Sequence, residues 1–356
     1  MAEIASKTQL YSSESKLDVA SGYFYDSSQL VVAGHHHAYP YSASDDEIPT
    51  VDYSLLFSDN PDQRFLALEF LRQACHEFGF FYLVNHTIPD SVFDGVLKGI
   101  SDFFDPTTRD ERRIYSKKGP SDKIRWGFNS SDIENREYLK VITHPQYHVL
   151  SDSSGFSKIL EEYCKEMRTI VIGLARAVSI TLGLEENYIE KAFNLKSGFD
   201  STAMIIYPPN SRSKGAVGLP EHTDPGFVIT LVQDINGGLQ ILSHKGKWIN
   251  AHIPHHAILI QLGDHLEILT NGKYKSHVHR VIVNNNKLQR ISLVTLHGPS
   301  LDKFISPGID FVDEEQPQKY CGMTYKDSLE ATGGDEIDGQ SSLEQLKLVS
   351  SFNKVI

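Results

Sequence analysis

Beyond residue 200 the chain breaks into short β-prone runs separated by turn signals, and this rhythm constrains the fold more than any other feature. The runs cover 203–207, 227–232, 239–242, 248–250, 257–262, 277–283 and 290–297. Between them lie Asn236-Gly237-Gly238, Lys245-Gly246-Lys247, Asn271-Gly272 and Asn284-Asn285-Asn286. Glycine and asparagine accept the positive φ that tight turns need. Many short strands closely spaced along a chain bury their faces only against one another, which predicts a sandwich or jelly-roll barrel.

Earlier in the chain the pattern is mostly helical. Residues 61–80 place Phe65, Leu68, Leu71, Cys75 and Phe78 on one face, and Gly79 closes the stretch. Residues 91–104 form a second helical pattern. A long one spans 156–182, with Leu160, Tyr163, Met167, Ile170, Leu174 and Ala177 at helical spacing. Short strands are expected at 48–52 and 80–84. The resulting division is a loosely ordered extension over 1–45, a helical part over 46–200, a β core over 201–300 and a C-terminal segment over 301–356 that packs on the core. The last holds one expected helix at 341–348. The consecutive His35, His36 and His37 read as a solvated run, because an extended chain does not converge three adjacent rings on one ion.

The net charge of −12 argues against nucleic acid or an anionic membrane as partner, since either favours a basic surface. Cys75, Cys164 and Cys321 are far apart and odd in number, as expected of free thiols in a reducing compartment. No apolar run approaches the ~18 residues of a membrane span, and residues 1–19 lack a signal-peptide core. The expectation is a cytoplasmic monomer acting on a small molecule.

Chemistry concentrates in the β core. In an extended segment residues two apart share a face, so His222 and Asp224 of His222-Thr223-Asp224 can reach one ion while Thr223 points away. Two histidines and a carboxylate with open coordination positions suit non-haem Fe(II). The second histidine has several candidates: His244, His252, His255, His256, His265, His277, His279 and His297. His277 is the closest rival of His279, being two residues from it. The choice of His279 rests on the Arg290-Ile291-Ser292 that follows. Arg290 and Ser292 share a strand face, and a guanidinium fork beside a hydroxyl matches the far carboxylate of a dicarboxylate anion. Tyr207 adds a possible further donor. Phe128, Phe227, Ile229, Leu296 and His297 are candidate pocket residues for the substrate.

The ordered set His222-x-Asp224, His279, Arg290-x-Ser292 resembles the plant-type 2-oxoglutarate/Fe(II)-dependent dioxygenase family. Further stretches are similar to it: Ile48-Pro49-Thr50-Val51-Asp52, Gly79-Phe80-Phe81 with Asn85-His86, Tyr207-Pro208, His222-Thr223-Asp224-Pro225-Gly226, Gly237-Gly238-Leu239-Gln240, and Asn271-Gly272-Lys273-Tyr274. The match runs over roughly residues 48 to 350. The resemblance implies a fold that is mainly β with flanking helices, around a distorted double-stranded β-helix (jelly-roll) core. It implies His222, Asp224 and His279 as the catalytic iron ligands, and Arg290, Ser292 and Tyr207 on 2-oxoglutarate. The cofactors implied are Fe(II), 2-oxoglutarate and O2, with ascorbate as reductant. The reaction implied is hydroxylation, desaturation or O-demethylation of a small specialised metabolite. Pro225-Gly226 resembles flavanone 3-hydroxylases and leans the substrate toward flavonoids or other phenolics. Two departures touch the pocket: Ile205-Ile206-Tyr207-Pro208 stands where many relatives have Asn-Tyr-Tyr-Pro, and Phe227 stands where flavanone 3-hydroxylases carry a smaller residue. The alternatives are an ascorbate-using oxidase of the same superfamily that dispenses with 2-oxoglutarate, and a non-catalytic small-molecule binder on the same scaffold.

Overall fold

The computed structural model describes residues 47–119, 122–130, 135–151, 155–208, 216–283, 288–331 and 342–348. The expected extension over 1–45, with His35–His37, lies outside the described residues, as does the asparagine turn at 284–286.

Strand β1 (Thr50–Asp52) leads into helix α1 (Pro61–Gln73). The side chain of Asn60 caps α1 by accepting from the Asp62 and Gln63 N–H groups, and Pro61 occupies the first turn, where no donor is needed. A π-turn at Ala74–Phe78 carries the chain into strand β2 (Phe80–Val84). Cys75 and Phe78 are buried as the periodicity predicts, whereas Phe65, in the first turns of α1, is exposed. Then come α2 (Asp90–Phe103), β3 (Ile124–Ser130), β4 (Asn135–His144), α3 (Phe156–Thr181) and α4 (Tyr188–Phe193). The β core follows as β5 (Phe199–Tyr207), β6 (Ala216–His222), β7 (Val228–Gln233), β8 (Leu239–Leu242), β9 (Trp248–Asn250) and β10 (Ile258–Leu262). After α5 (Asp264–Leu269) run β11 (His279–Val283) and β12 (Arg290–Gly298). The C-terminal part adds β13 (Phe304–Ile305), β14 (Met323–Thr324), α6 (Tyr325–Ala331) and α7 (Ser342–Leu346).

Two sheets face each other without closing into a barrel. The larger has the order β1-β2-β10-β7-β12-β5-β4-β3, the smaller β6-β11-β8-β9. Strand alternation gives the large sheet two apolar faces. One packs against α1, α2 and α3, where Leu160, Met167, Ile170 and Leu174 meet Leu293, Ile206 and Leu139 in the main core. The other faces the small sheet, where Tyr207, Leu219, Leu231, Leu239, Ile241 and Val281 form a second core. This is the jelly-roll arrangement, with helices on the outside of the large sheet.

The stretch 46–200, expected to be helical beyond its opening strands, in fact supplies four strands of the large sheet. β2 pairs antiparallel with β10 at one side, with β1 parallel beyond it, and β4 pairs antiparallel with β5 at the other, with β3 beyond. The predicted run 277–283 starts as a strand only at His279.

Candidate active site

β6 ends at His222, the first residue of β11 is His279, and the two residues are directly paired across the small sheet. Their rings lie 4.2 Å apart, centre to centre. The turn after β6 brings Asp224 back to them. His222 Nε2 is 3.6 Å from Asp224 Oδ1, and His279 Nε2 is 3.3 Å from Asp224 Oδ2. All three ligand atoms fall within 4.8 Å of one another. The opposite ring nitrogens are occupied: His222 Nδ1 donates to the Pro220 carbonyl at 2.8 Å, and His279 Nδ1 faces the His277 carbonyl at 3.4 Å. That leaves the Nε2 lone pairs free to face the gap between the three groups, a tautomer fixed by backbone carbonyls as at most histidine metal sites. Thr223 points away and gives its hydroxyl to Asp264 Oδ2 at 3.1 Å.

The electrostatics favour a metal. Burial pushes the His222 pKa down to about 4; His279 and Arg136 push the same way, and Asp224 and the Pro220 carbonyl only partly oppose them. Burial alone would raise the Asp224 carboxyl, but His279, His222 and Lys140 more than reverse this and hold it at about 2. A neutral imidazole and an ionised carboxylate are the forms that ligate a divalent cation. One carboxylate and two imidazole nitrogens around a common point fit Fe(II) with positions to spare.

The rival histidines are engaged elsewhere. The His277 ring packs on Phe80 at 5.5 Å, and its Nδ1 donates to the Leu242 carbonyl at 3.1 Å. His265 Nδ1 accepts from the Gly226 N–H. Among the described residues a second group of metal-capable side chains, Asp94, His255 and His256, sits at the surface away from the cavity.

Arg290 opens β12 directly opposite Tyr207 of β5, with its guanidinium 4.8 Å from the tyrosine ring centre. It is 3% exposed. It donates to the Gly237 carbonyl at 2.6 Å, to Ser292 Oγ at 3.2 Å and to Gln233 Oε1 at 2.9 Å, all neutral oxygens. Burial works against this cation, Asp234 and Tyr207 only partly offset that cost, and an anion in the cavity would complete the site. Gln233 was not singled out from the sequence. Its position at the inner end of β7, level with Ser292, is visible only from the strand register.

A cavity of about 710 Å³ joins the two groups, lined by His222, Asp224 and His279, by Arg290, Ser292 and Tyr207, and by Leu231, Val294 and Leu296. Of the five residues expected to meet the substrate, Leu296 lines this cavity and four do not. Phe128 faces outward from β3, 46% exposed, with the Arg109 guanidinium 5.3 Å from its ring centre. Phe227 lies past the turn and packs in the main core against Phe193. Ile229 is buried in β7 outside the lining. His297 follows Leu296 and so faces the other side of the sheet, where its Nδ1 lies 3.1 Å from Asp200 Oδ2 and its Nε2 3.3 Å from Thr230 Oγ1. The lining instead includes a group absent from the sequence expectation. Strands β3 and β4 contribute Arg125, Arg136 and Lys140, and Lys117, Lys123 and Lys326 add to the lining.

Residues 190–299 match the model of the 2OG-Fe(II) oxygenase superfamily. Residues 48–154 match that of the non-haem dioxygenase in morphine synthesis N-terminal region. The chain is 30% identical over 308 residues to 2-oxoglutarate-dependent dioxygenase 19 of Oryza sativa subsp. japonica, spanning 85% of this chain and 90% of the relative. It is 28% identical over 308 residues to flavanone 3-dioxygenase 3 of the same plant, spanning 85% and 93%. Among solved structures, that of JOX2 in complex with 2OG, Fe and JA is similar with a TM-score of 0.72 and 26% identity, over 85% of this chain and 89% of that one.

Proposed function

Starting from the fact that this chain belongs to the 2OG-Fe(II) oxygenase superfamily and is a dioxygenase using Fe(II), 2-oxoglutarate and O2, we propose that it oxidises a C–H bond of a small specialised metabolite inside the cavity between its two sheets. His222, Asp224 and His279 hold the iron in this reading, and Arg290, Ser292 and Tyr207 grip the far carboxylate of 2-oxoglutarate. Iron and 2-oxoglutarate together supply O2 activation and the oxidising equivalents. The chain supplies placement. The paired edge of β6 and β11 fixes both imidazoles by backbone contacts, and the buried guanidinium of Arg290 sets the orientation of the cosubstrate. The apolar floor of Leu231, Val294 and Leu296 keeps water from the reacting carbon. Hydroxylation is the simplest outcome; desaturation or O-demethylation depends on which carbon is presented. A flavonoid or other phenolic is one substrate class that fits a cavity of this size.

The observation that carries this reading is the convergence of two carbonyl-oriented Nε2 atoms and one ionised carboxylate beside a buried guanidinium bonded to neutral oxygens. The test is succinate release. Protein loaded anaerobically with Fe(II) and 2-oxoglutarate, mixed with a metabolite panel and opened to air, is expected to release succinate in step with O2 consumed for the matching substrate. No succinate above the metal-free control across the panel would defeat the proposal. O2 uptake without succinate would point instead to an ascorbate-driven oxidase.

A further inference from the structure

Strand β10 is apolar except at one position. Ile258, Ile260 and Leu262 face the main core, and Leu259 faces the second core between the sheets. Alternation turns Gln261 to the same side as Leu259, toward the cavity that it lines. Its partners in register are Ile229 of β7 and Phe80 of β2, whose side chains offer no polar atom. Gln261 is 5% exposed, and neither its Nε2 nor its Oε1 has a hydrogen-bond partner. Of the buried side chains with unpartnered polar atoms among the described residues, it alone lines the cavity.

A buried amide without partners destabilises a fold. An apolar side chain would complete the strand at no such cost, so folding does not account for a glutamine here. The cosubstrate clamp does not account for it either. Gln233, which accepts from Arg290, lies four residues along β7 from Ile229, about 13 Å at the rise of a strand. A carboxylate bonded to Arg290 is therefore beyond the reach of the amide. The proposed iron ligands converge on one another without it. Just beyond Gln261, the Gly263 and Asp264 N–H groups donate to the Phe227 and Asp224 carbonyls. The amide thus sits at the end of the cavity nearest the turn that carries Asp224.

A primary amide presents an acceptor and a donor side by side. The complementary edge is a donor next to a carbonyl acceptor, as in a lactam, an imide or a hydroxy-ketone. From this arrangement we infer that Gln261 selects the substrate, a compound whose donor–acceptor edge pairs with Oε1 and Nε2 while its apolar body lies over Leu231 and Leu296. The inference rests on the oxygenase reading of the same cavity and narrows its substrate to compounds that carry such an edge.

The test uses the full chain, loaded with Co(II) and saturated with 2-oxoglutarate so that the cosubstrate occupies its own site. A panel of aryl and bicyclic lactams, imides and hydroxy-ketones is passed over the immobilised protein. Each compound is matched with its N-methyl or O-methyl derivative, which keeps the carbonyl and loses the donor. Retained compounds are titrated by calorimetry. Parents are expected to bind about tenfold or more tightly than their methylated forms, since a site built to bond a donor rejects the analogue that lacks it. Which parents are retained identifies the edge as N–H or O–H. In Q261M the parents should bind no better than the methylated forms, while Co(II) and 2-oxoglutarate titrate as in the unaltered protein. The ligand-free thermal midpoint of Q261M should be unchanged or higher, because methionine keeps the length of the side chain and removes the unpartnered atoms. Equal retention of parents and methylated forms, or of neither, by the unaltered protein overturns the inference. So does a preference that survives in Q261M, which would mean that the extra methyl group is excluded by shape. A lower midpoint in Q261M would make the amide a structural group, and weaker 2-oxoglutarate binding would assign it to the cosubstrate; either outcome also overturns the inference. The reading beneath it fails separately, by absence of metal-dependent 2-oxoglutarate binding in the unaltered protein.

Discussion

His277 and His279 leave the same stretch of backbone with rings in different surroundings, one against Phe80 and the Leu242 carbonyl, the other beside Asp224. Changing His279 to Ala is therefore expected to abolish Co(II) binding, measured by titration of the apoprotein, whereas His277→Ala should leave it within about threefold, as removal of a group outside the ligand set does. The reverse pattern would move the iron site. Asp200 offers a test of stability rather than chemistry. Its carboxylate is buried between Arg168, at 2.6 Å, and His297, at 3.1 Å, tying α3 to the outer face of β5 and β12. Burial alone would raise its pKa, but His297 and Arg168 together bring it below the ordinary carboxylate value. A depressed carboxyl contributes stability above the unfolded-chain pKa, near 3.9, and loses it as pH falls through the lower folded value. D200N should thus cost about 3–5 kcal/mol at neutral pH in urea denaturation, and the gap to the unaltered protein should narrow below about pH 4. A gap that widened in acid would contradict the pairing.

The elements show which physical signals reach the sequence and which do not. Strands β7, β8, β10 and β12 were legible because both of their faces, or every second residue, are apolar. Strands β3 and β4 were not, because most of their cavity-lining residues are cations, and a strand with charge on its inner face looks like a solvated loop. β6 was hidden by Gly218 and Pro220, which an edge strand tolerates and a central one does not. The candidate metal triad could be singled out because the chemistry dictates residue types, and two of its members lie two residues apart. Of the residues expected at the substrate only Leu296 lines the cavity, because proximity to a ligand in sequence says nothing about which face of a strand a residue takes. Phe227, two residues after the lining Pro225, and His297, next to the lining Leu296, turn into the helix-side packing. The turn between β7 and β8 also bears on function. Gly238 has φ +100°, and a Cβ there would come within 2.4 Å of the Ile282 carbonyl, while the neighbouring Gly237 carbonyl holds Arg290. G238A should destabilise the fold by about 1–3 kcal/mol, and calorimetry should show weaker 2-oxoglutarate binding than metal binding can account for.

For the molecule as a whole, ligands that bind only the folded state raise its stability, by about 2.7 kcal/mol at a hundredfold excess over Kd. Metal and cosubstrate should do so in separate increments. Unaltered protein should gain one step with Co(II) and a second with 2-oxoglutarate in thermal denaturation. R290Q should keep the first and lose the second, and an R290Q protein that lost the metal step instead would remove Arg290 from its assigned role. The two sheets also divide labour along the chain. The cationic wall comes from β3 and β4, within the first matched region, and the proposed iron ligands from β6, the turn after it and β11, within the second. The wall and the candidate ligands are thus written in separate stretches of one gene product, which meet where β4 zips onto β5 and where β2 zips onto β10. Exchanging residues 48–154 between homologues would therefore replace one wall of the cavity while leaving all three candidate ligands in place.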